Sequence, residues 1–123
     1  MVVRLNTTLR NEMADAIPSV GTLYVRTGAQ PTSADSAMTG TLLVQIDNVT
    51  FAAAASGGRS LVSTAVGTAT TAGTAAHARF TDGTRVVDGS VGLTTSSDFV
   101  ISSTVLALGD VVTVQQMSLT MPV

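Results

Sequence analysis

β-Branched residues alternate with a period of two in Asp98-Phe99-Val100-Ile101-Ser102 and in Asp110-Val111-Val112-Thr113-Val114, and Gly and Asp punctuate the chain between such runs. A strand turns successive side chains to opposite faces, so this pattern commits the chain to sheets that bury one face each. Turn signals recur at intervals of roughly ten residues and separate about eight such runs, the spacing of an antiparallel sandwich or jelly roll. The expected fold is therefore all-β: an antiparallel jelly-roll-like β-sandwich with a short N-terminal helix. At 123 residues the chain suits a single domain, with 1–20 as the helix or arm and 21–123 as the sandwich.

The helix starts at Asn6 or Thr7 as N-cap and places Leu9, Met13, Ala16 and Ile17 on one face, with Arg10, Asn11, Glu12 and Asp15 on the other, before Pro18 stops it. Strands are expected over 22–26, 41–46, 49–54 and 60–65, with a long loop over 28–35 and one helical turn near 33–38. The stretch 66–73 is small in side chain and low in complexity, and reads as a mobile loop. Over 74–81 Ala76, Ala78 and Phe80 face one way and His77 and Arg79 the other, outward; Asp82-Gly83 then turns a hairpin into 84–87. Asp88-Gly89 and Gly92 read as breaks, 99–103 as a strand, and Leu108-Gly109-Asp110 as a turn. In the last segment Val112 and Val114 are out of phase with Met117, Leu119 and Met121, and a bulge near Gln115-Gln116 would bring them onto one face.

Chemically the chain is sparse, with no Cys, Trp or Lys, one His and one Tyr. Without cysteines there is no disulfide framework or thiolate metal site. A charged fraction of 11% and a mean hydropathy of +0.43 leave the surface poor in charge beside the usual quarter or so, which implies that part of it is covered when the protein works. Net charge is −2 and the six basic residues, all arginines, are dispersed, so nucleic acid is not an expected partner. No apolar run is long enough for a membrane helix, and Met1 to Thr8 turns polar before a signal-peptide core forms.

His77 is the one side chain suited to base catalysis near neutrality, yet no nucleophile elbow accompanies it; Asp88-Gly89-Ser90-Val91-Gly92 lacks the first glycine of that motif. Asp82, Asp88, Asp98 and Asp110 stand beside turns, where Asp caps backbone N–H groups, and no loop gathers oxygens as a calcium loop does. With no lysine there is no phosphate-binding P-loop. No catalytic, metal-binding or cofactor-binding residue is expected, and no cofactor. Candidate interface residues are Arg4, Leu9, Arg10, Met13, Arg26, Arg59, His77 and Arg79, since guanidinium groups fork onto carboxylates and the helix offers an apolar face. An aromatic content of 3% argues against a sugar-binding sandwich.

Val3-Arg4-Leu5-Asn6-Thr7-Thr8-Leu9-Arg10-Asn11, the stretch from Gly21-Thr22-Leu23-Tyr24 to Gln30-Pro31, and Ala34-Asp35 through Thr39-Gly40-Thr41-Leu42-Leu43 resemble a family of small proteins of tailed phages and prophages. So do Gly73-Thr74-Ala75-Ala76-His77-Ala78-Arg79-Phe80, Asp88-Gly89-Ser90-Val91-Gly92 and the ending Ser118-Leu119-Thr120-Met121-Pro122; only the region from Ala52 to Thr71 falls outside the likeness. The resemblance implies a capsid cement or decoration protein at the exterior of the virion, with the major capsid protein and a second copy of itself as partners. It carries over no catalytic residue, and many relatives have an aromatic residue where this chain has His77. A phage tail or adaptor component, or a receptor- or carbohydrate-binding β-sandwich, is the alternative.

Overall fold

The computed structural model describes residues 3–55, 57–61 and 64–120, and of Arg59 and residues 118–120 the backbone only. The Asn6 side chain accepts the Leu9 N–H at 2.9 Å, and from this cap the helix α1 (Thr7–Asp15) runs. Among the described residues ten strands follow: β1 (Val20–Arg26), β2 (Leu42–Thr50), β3 (Gly58–Ser60), β4 (Ala65–Thr68), β5 (Gly73–Thr74), β6 (His77–Thr81), β7 (Val86–Gly92), β8 (Phe99–Ile101), β9 (Val105–Leu106) and β10 (Val111–Thr120).

Eight of them form one sheet in the order β2-β1-β6-β7-β8-β10-β3, with β4 also on β10, while β5 and β9 make a separate ribbon. A bridge between Val44 and Ala69, and a hydrogen bond from Thr70 N–H to the Leu43 carbonyl at 2.9 Å, bring the end of β4 back onto β2. The sheet is thereby nearly closed into a barrel around one core that includes Leu23, Val25, Ile46, Phe80, Phe99, Val112 and Met117. Closure leaves few open edges, which protects a small all-β chain from edge-to-edge pairing. The expected all-β, sandwich-like architecture with one short helix is the one present. Its sheet is mixed rather than wholly antiparallel, because β7 and β8 pair in parallel through Val91 with Phe99 and Gly92 with Val100.

The bulge expected near Gln115-Gln116 is there: β10 is in register with β8 at Val114 and Ile101, slips, and resumes at Gln116 with Val100 and Met117 with Phe99, which leaves Met117 fully buried. Met121 lies outside the described residues. Asp82-Gly83 turns β6 into β7 as expected, with Asp82 Oδ1 accepting the N–H groups of Thr84 and Arg85, each at 2.9 Å.

Four expectations give way to tertiary contacts. The stretch 66–73 is no free loop, for β4 occupies its start and Ala69 is buried. A Cβ on Gly67 would stand 2.7 Å from the Gln45 carbonyl oxygen and under 3 Å from side-chain atoms of Ile46 and Val44, so the small residues there serve a close approach of β4 to β2. The strand expected over 41–46 runs on through Thr50 as β2, with Asn48 (φ 57) taking up the register slip against β1, and 52–54 of the strand expected over 49–54 are in no strand; of 60–65 only the end of β3 and the start of β4 are strand, and Val62 and Ser63 lie outside the described residues. β7 passes unbroken through Asp88 and Gly89.

The helix lies on its own domain through its polar side. Asn11 Oδ1 accepts the Gly57 N–H at 2.7 Å and Asp15 Oδ1 accepts the Ala54 N–H at 3.1 Å, so the polar side holds α1 to its own domain. Ala14 is buried there and Ile17 reaches the core, while Leu9 and Met13 remain 43% and 39% exposed. Two backbone N–H groups that needed acceptors decided the rotation of a helix whose apolar side chains are few.

Gly21 lies where β1 crosses the Phe80 ring: a Cβ there would meet the Thr81 carbonyl oxygen at 2.8 Å and the ring at 2.9 Å. Gly21→Ala is expected to cost about 1–3 kcal/mol in urea melts, because the contact is with backbone and a ring packed in the core. An unchanged midpoint would show that both can yield.

Candidate functional site

β6 carries the most concentrated polar chemistry of the molecule. Its register sets Arg79 between Tyr24 of β1 and Asp88 of β7, and His77 between Arg26 and Ser90. Arg79 Nε and Nη2 donate to Asp88 Oδ1 and Oδ2 at 2.6 and 2.8 Å, a bidentate pair whose side chains are 9% and 4% exposed. The hydrogen bonds to Asp88 push the guanidinium pKa above its ordinary value, more than burial lowers it. His77 Nδ1 lies 3.0 Å from the Gly28 carbonyl oxygen, and since a carbonyl only accepts, the ring proton of this bond is on Nδ1. Nε2 is buried with no hydrogen-bond partner among the described residues. Ser90 Oγ donates to Asp98 Oδ2 at 3.2 Å, and no hydrogen bond joins Ser90 to His77 among the described residues. No cluster of three or more His, Asp or Glu suited to a metal ion occurs among the described residues.

His77 and Arg79, expected to face outward to a partner, are instead 2% and 7% exposed. Their alternation against Ala78 and Phe80 is as read, but the outer side of the sheet is itself covered. Arg26 donates to the carbonyls of Thr39 and Gly40, both at 2.8 Å, which ties the 27–41 loop across this end, where Gly28 meets His77. Arg26 is thus engaged within the chain, and Arg10 lies against Gly57 and donates to Thr7 Oγ1. Of the other candidate interface residues, Arg4, Leu9 and Met13 are exposed, and the Arg59 side chain lies outside the described part.

A second exposed apolar group went unnoticed in the sequence. Val66 and Val111 emerge on the outer side of the β4–β10 pair, since their neighbours Gly67 and Val112 face each other inside. Leu108 stands in the turn before β10 and Val105 in β9, and these four are 56–73% exposed. Phase was the available signal: with Val112 and Val114 inward, Val111 had to point out.

A concavity of about 530 Å³ is a shallow groove lined in part by Tyr24, Asp47, Asn48, Thr81 and Asp82. Asp47 Oδ1 accepts from Thr22 Oγ1 at 3.2 Å and Gln45 Nε2 at 3.0 Å. The backbone N–H groups of Arg85 and then Thr84 hold the Asp82 carboxyl below its usual range, so it is ionised at neutral pH. No helix among the described residues is long and apolar enough to cross a membrane. Compared with protein-family models, with curated proteins and with solved structures, the chain finds no match.

Proposed function

We propose that this protein is a virion structural protein, a capsid cement or decoration protein that binds across neighbouring major capsid subunits at the capsid exterior and stabilises the head. The observation that carries the reading is the division of the surface. The polar chemistry of β6 is enclosed, whereas apolar side chains stand uncovered, with Leu9 and Met13 together on α1, Val66, Val105, Leu108 and Val111 along β4, β9 and β10, and Val3, Val20 and Leu93 singly elsewhere. Two separate apolar contacts suit a clamp that touches two neighbouring subunits, or one subunit and a second copy of the chain in a homodimer. Binding that favours the assembled shell stabilises it by mass action and needs no catalytic group. The low charge and the sequence resemblance to phage cement proteins support the same reading.

The test uses heads assembled without cement, mixed with parent protein or with Leu9→Asp/Met13→Asp or Leu108→Asp/Val111→Asp chains. These positions are exposed, so the variants are expected to keep the parent's unfolding midpoint. The parent is expected to cosediment with the heads and delay heat-induced genome release, and at least one variant to lose both effects. Failure of the parent to bind, or full binding and protection by both variants, would overturn the proposal.

A further inference from the structure

The groove beside β1 holds hydrogen-bonding groups that the fold does not use. Asp47 and Asp82 each commit Oδ1 to donors within the chain, which fixes the carboxylates and leaves each Oδ2 as an acceptor. Thr81 Oγ1 accepts the Gly83 N–H at 3.0 Å, so its own proton is available to donate. The Asn48 amide, on a residue at φ 57, makes no hydrogen bond among the described residues and offers both a donor and an acceptor. A low aromatic content argues against a sugar-binding sandwich, but the chain's one tyrosine, Tyr24, stands in this polar lining and supplies the single ring that one sugar residue needs.

We propose that the groove is a binding site for a neutral saccharide, with Tyr24 against the apolar side of a sugar ring and Asp47, Asn48, Thr81 and Asp82 hydrogen-bonded to its hydroxyls. A sugar hydroxyl both donates and accepts, so neighbouring hydroxyls call for the mixture present here, fixed acceptors beside free donors. A purely cationic ligand would leave the Thr81 and Asn48 donors unused. Anionic sugars are disfavoured, because the groove has two carboxylates and no basic side chain among its lining residues. A volume of about 530 Å³ is within the range of small-molecule sites and exceeds what one side chain would fill. The proposal does not depend on attachment to a capsid.

Isotope-labelled full-length protein titrated with methyl glucoside, methyl galactoside and N-acetylglucosamine, followed by amide NMR shifts, tests it. At least one of them is expected to give saturable shifts centred on residues 20–24, 47–48 and 81–83, with a dissociation constant of order millimolar, while glucuronate and sialic acid give none. Asn48→Gly suits the left-handed backbone and removes the amide; it and Tyr24→Ala are each expected to weaken binding about tenfold, with shifts elsewhere as in the parent. Tyr24→Phe is expected to retain most of the affinity. Absence of groove shifts with all three neutral sugars, equal affinity in Asn48→Gly, or tighter groove binding by argininamide than by every neutral sugar would overturn the assignment.

Discussion

Asp88→Ala is expected to lower folding stability by about 3 kcal/mol, among the largest losses from any polar substitution in this chain. Removing the carboxylate leaves the Arg79 guanidinium enclosed between β1 and β7 without its bidentate partner, and an unpaired charge costs more than the pair contributes. Both side chains are near the surface of the fold, which limits the loss by letting water relax in. The comparison that isolates this cause is the double variant Arg79→Met/Asp88→Leu, expected to recover most of the stability because it removes both charges and keeps the volume. Urea melts of the two variants beside the parent give the answer. A single variant within about half a kilocalorie of the parent would place the pair among ordinary surface ion pairs.

Phe80→Ala should cost about 3–5 kcal/mol. The ring is fully buried, its centroid lies 5.1 Å from that of Phe51 at an interplanar angle of 82°, and Gly21 is glycine partly to admit it. Truncation leaves a cavity under β1 that the barrel cannot collapse to fill, since β6 is held on both edges by β1 and β7. Phe80→Leu is expected to lose markedly less. If thermal and urea melts put Phe80→Ala within a kilocalorie of the parent, the ring is not the packing centre the structure makes it.

What the chain encodes locally is legible in its residues. The Asn6 cap, the Asp82-Gly83 hairpin and the Leu108-Gly109-Asp110 turn each depend on contacts within a few positions, and all three are present. The phase conflict between Val112 and Met117 even located a bulge, because a side chain can change face only if the backbone takes up an extra residue. The alternation over 98–102 agrees with Phe99 and Ile101 lying in the core, though Val100 between them is buried too.

Alternation says which side of a sheet a residue is on, however, and not what lies over that side. His77 and Arg79 are on the outer side as read, yet Asp88 across the hairpin and the 27–41 loop enclose them, and no local rule links that distant loop to β6. Composition misled for the same reason at Gly67 and Ala69, where small side chains looked like looseness and proved to be the condition for β4 to close on β2. The groove beside Tyr24 was not foreseeable from its residues one by one, since it draws on β1, β2 and the β6–β7 turn. The sequence by itself determined the all-β class, the cap, the turns and the bulge, whose energies are set by neighbours along the chain. The facing of the helix, the covering of β6, the closure of the sheet and the concavity at its surface were decided only by tertiary structure, because each follows from which distant backbone and side-chain groups had to be satisfied in the same place.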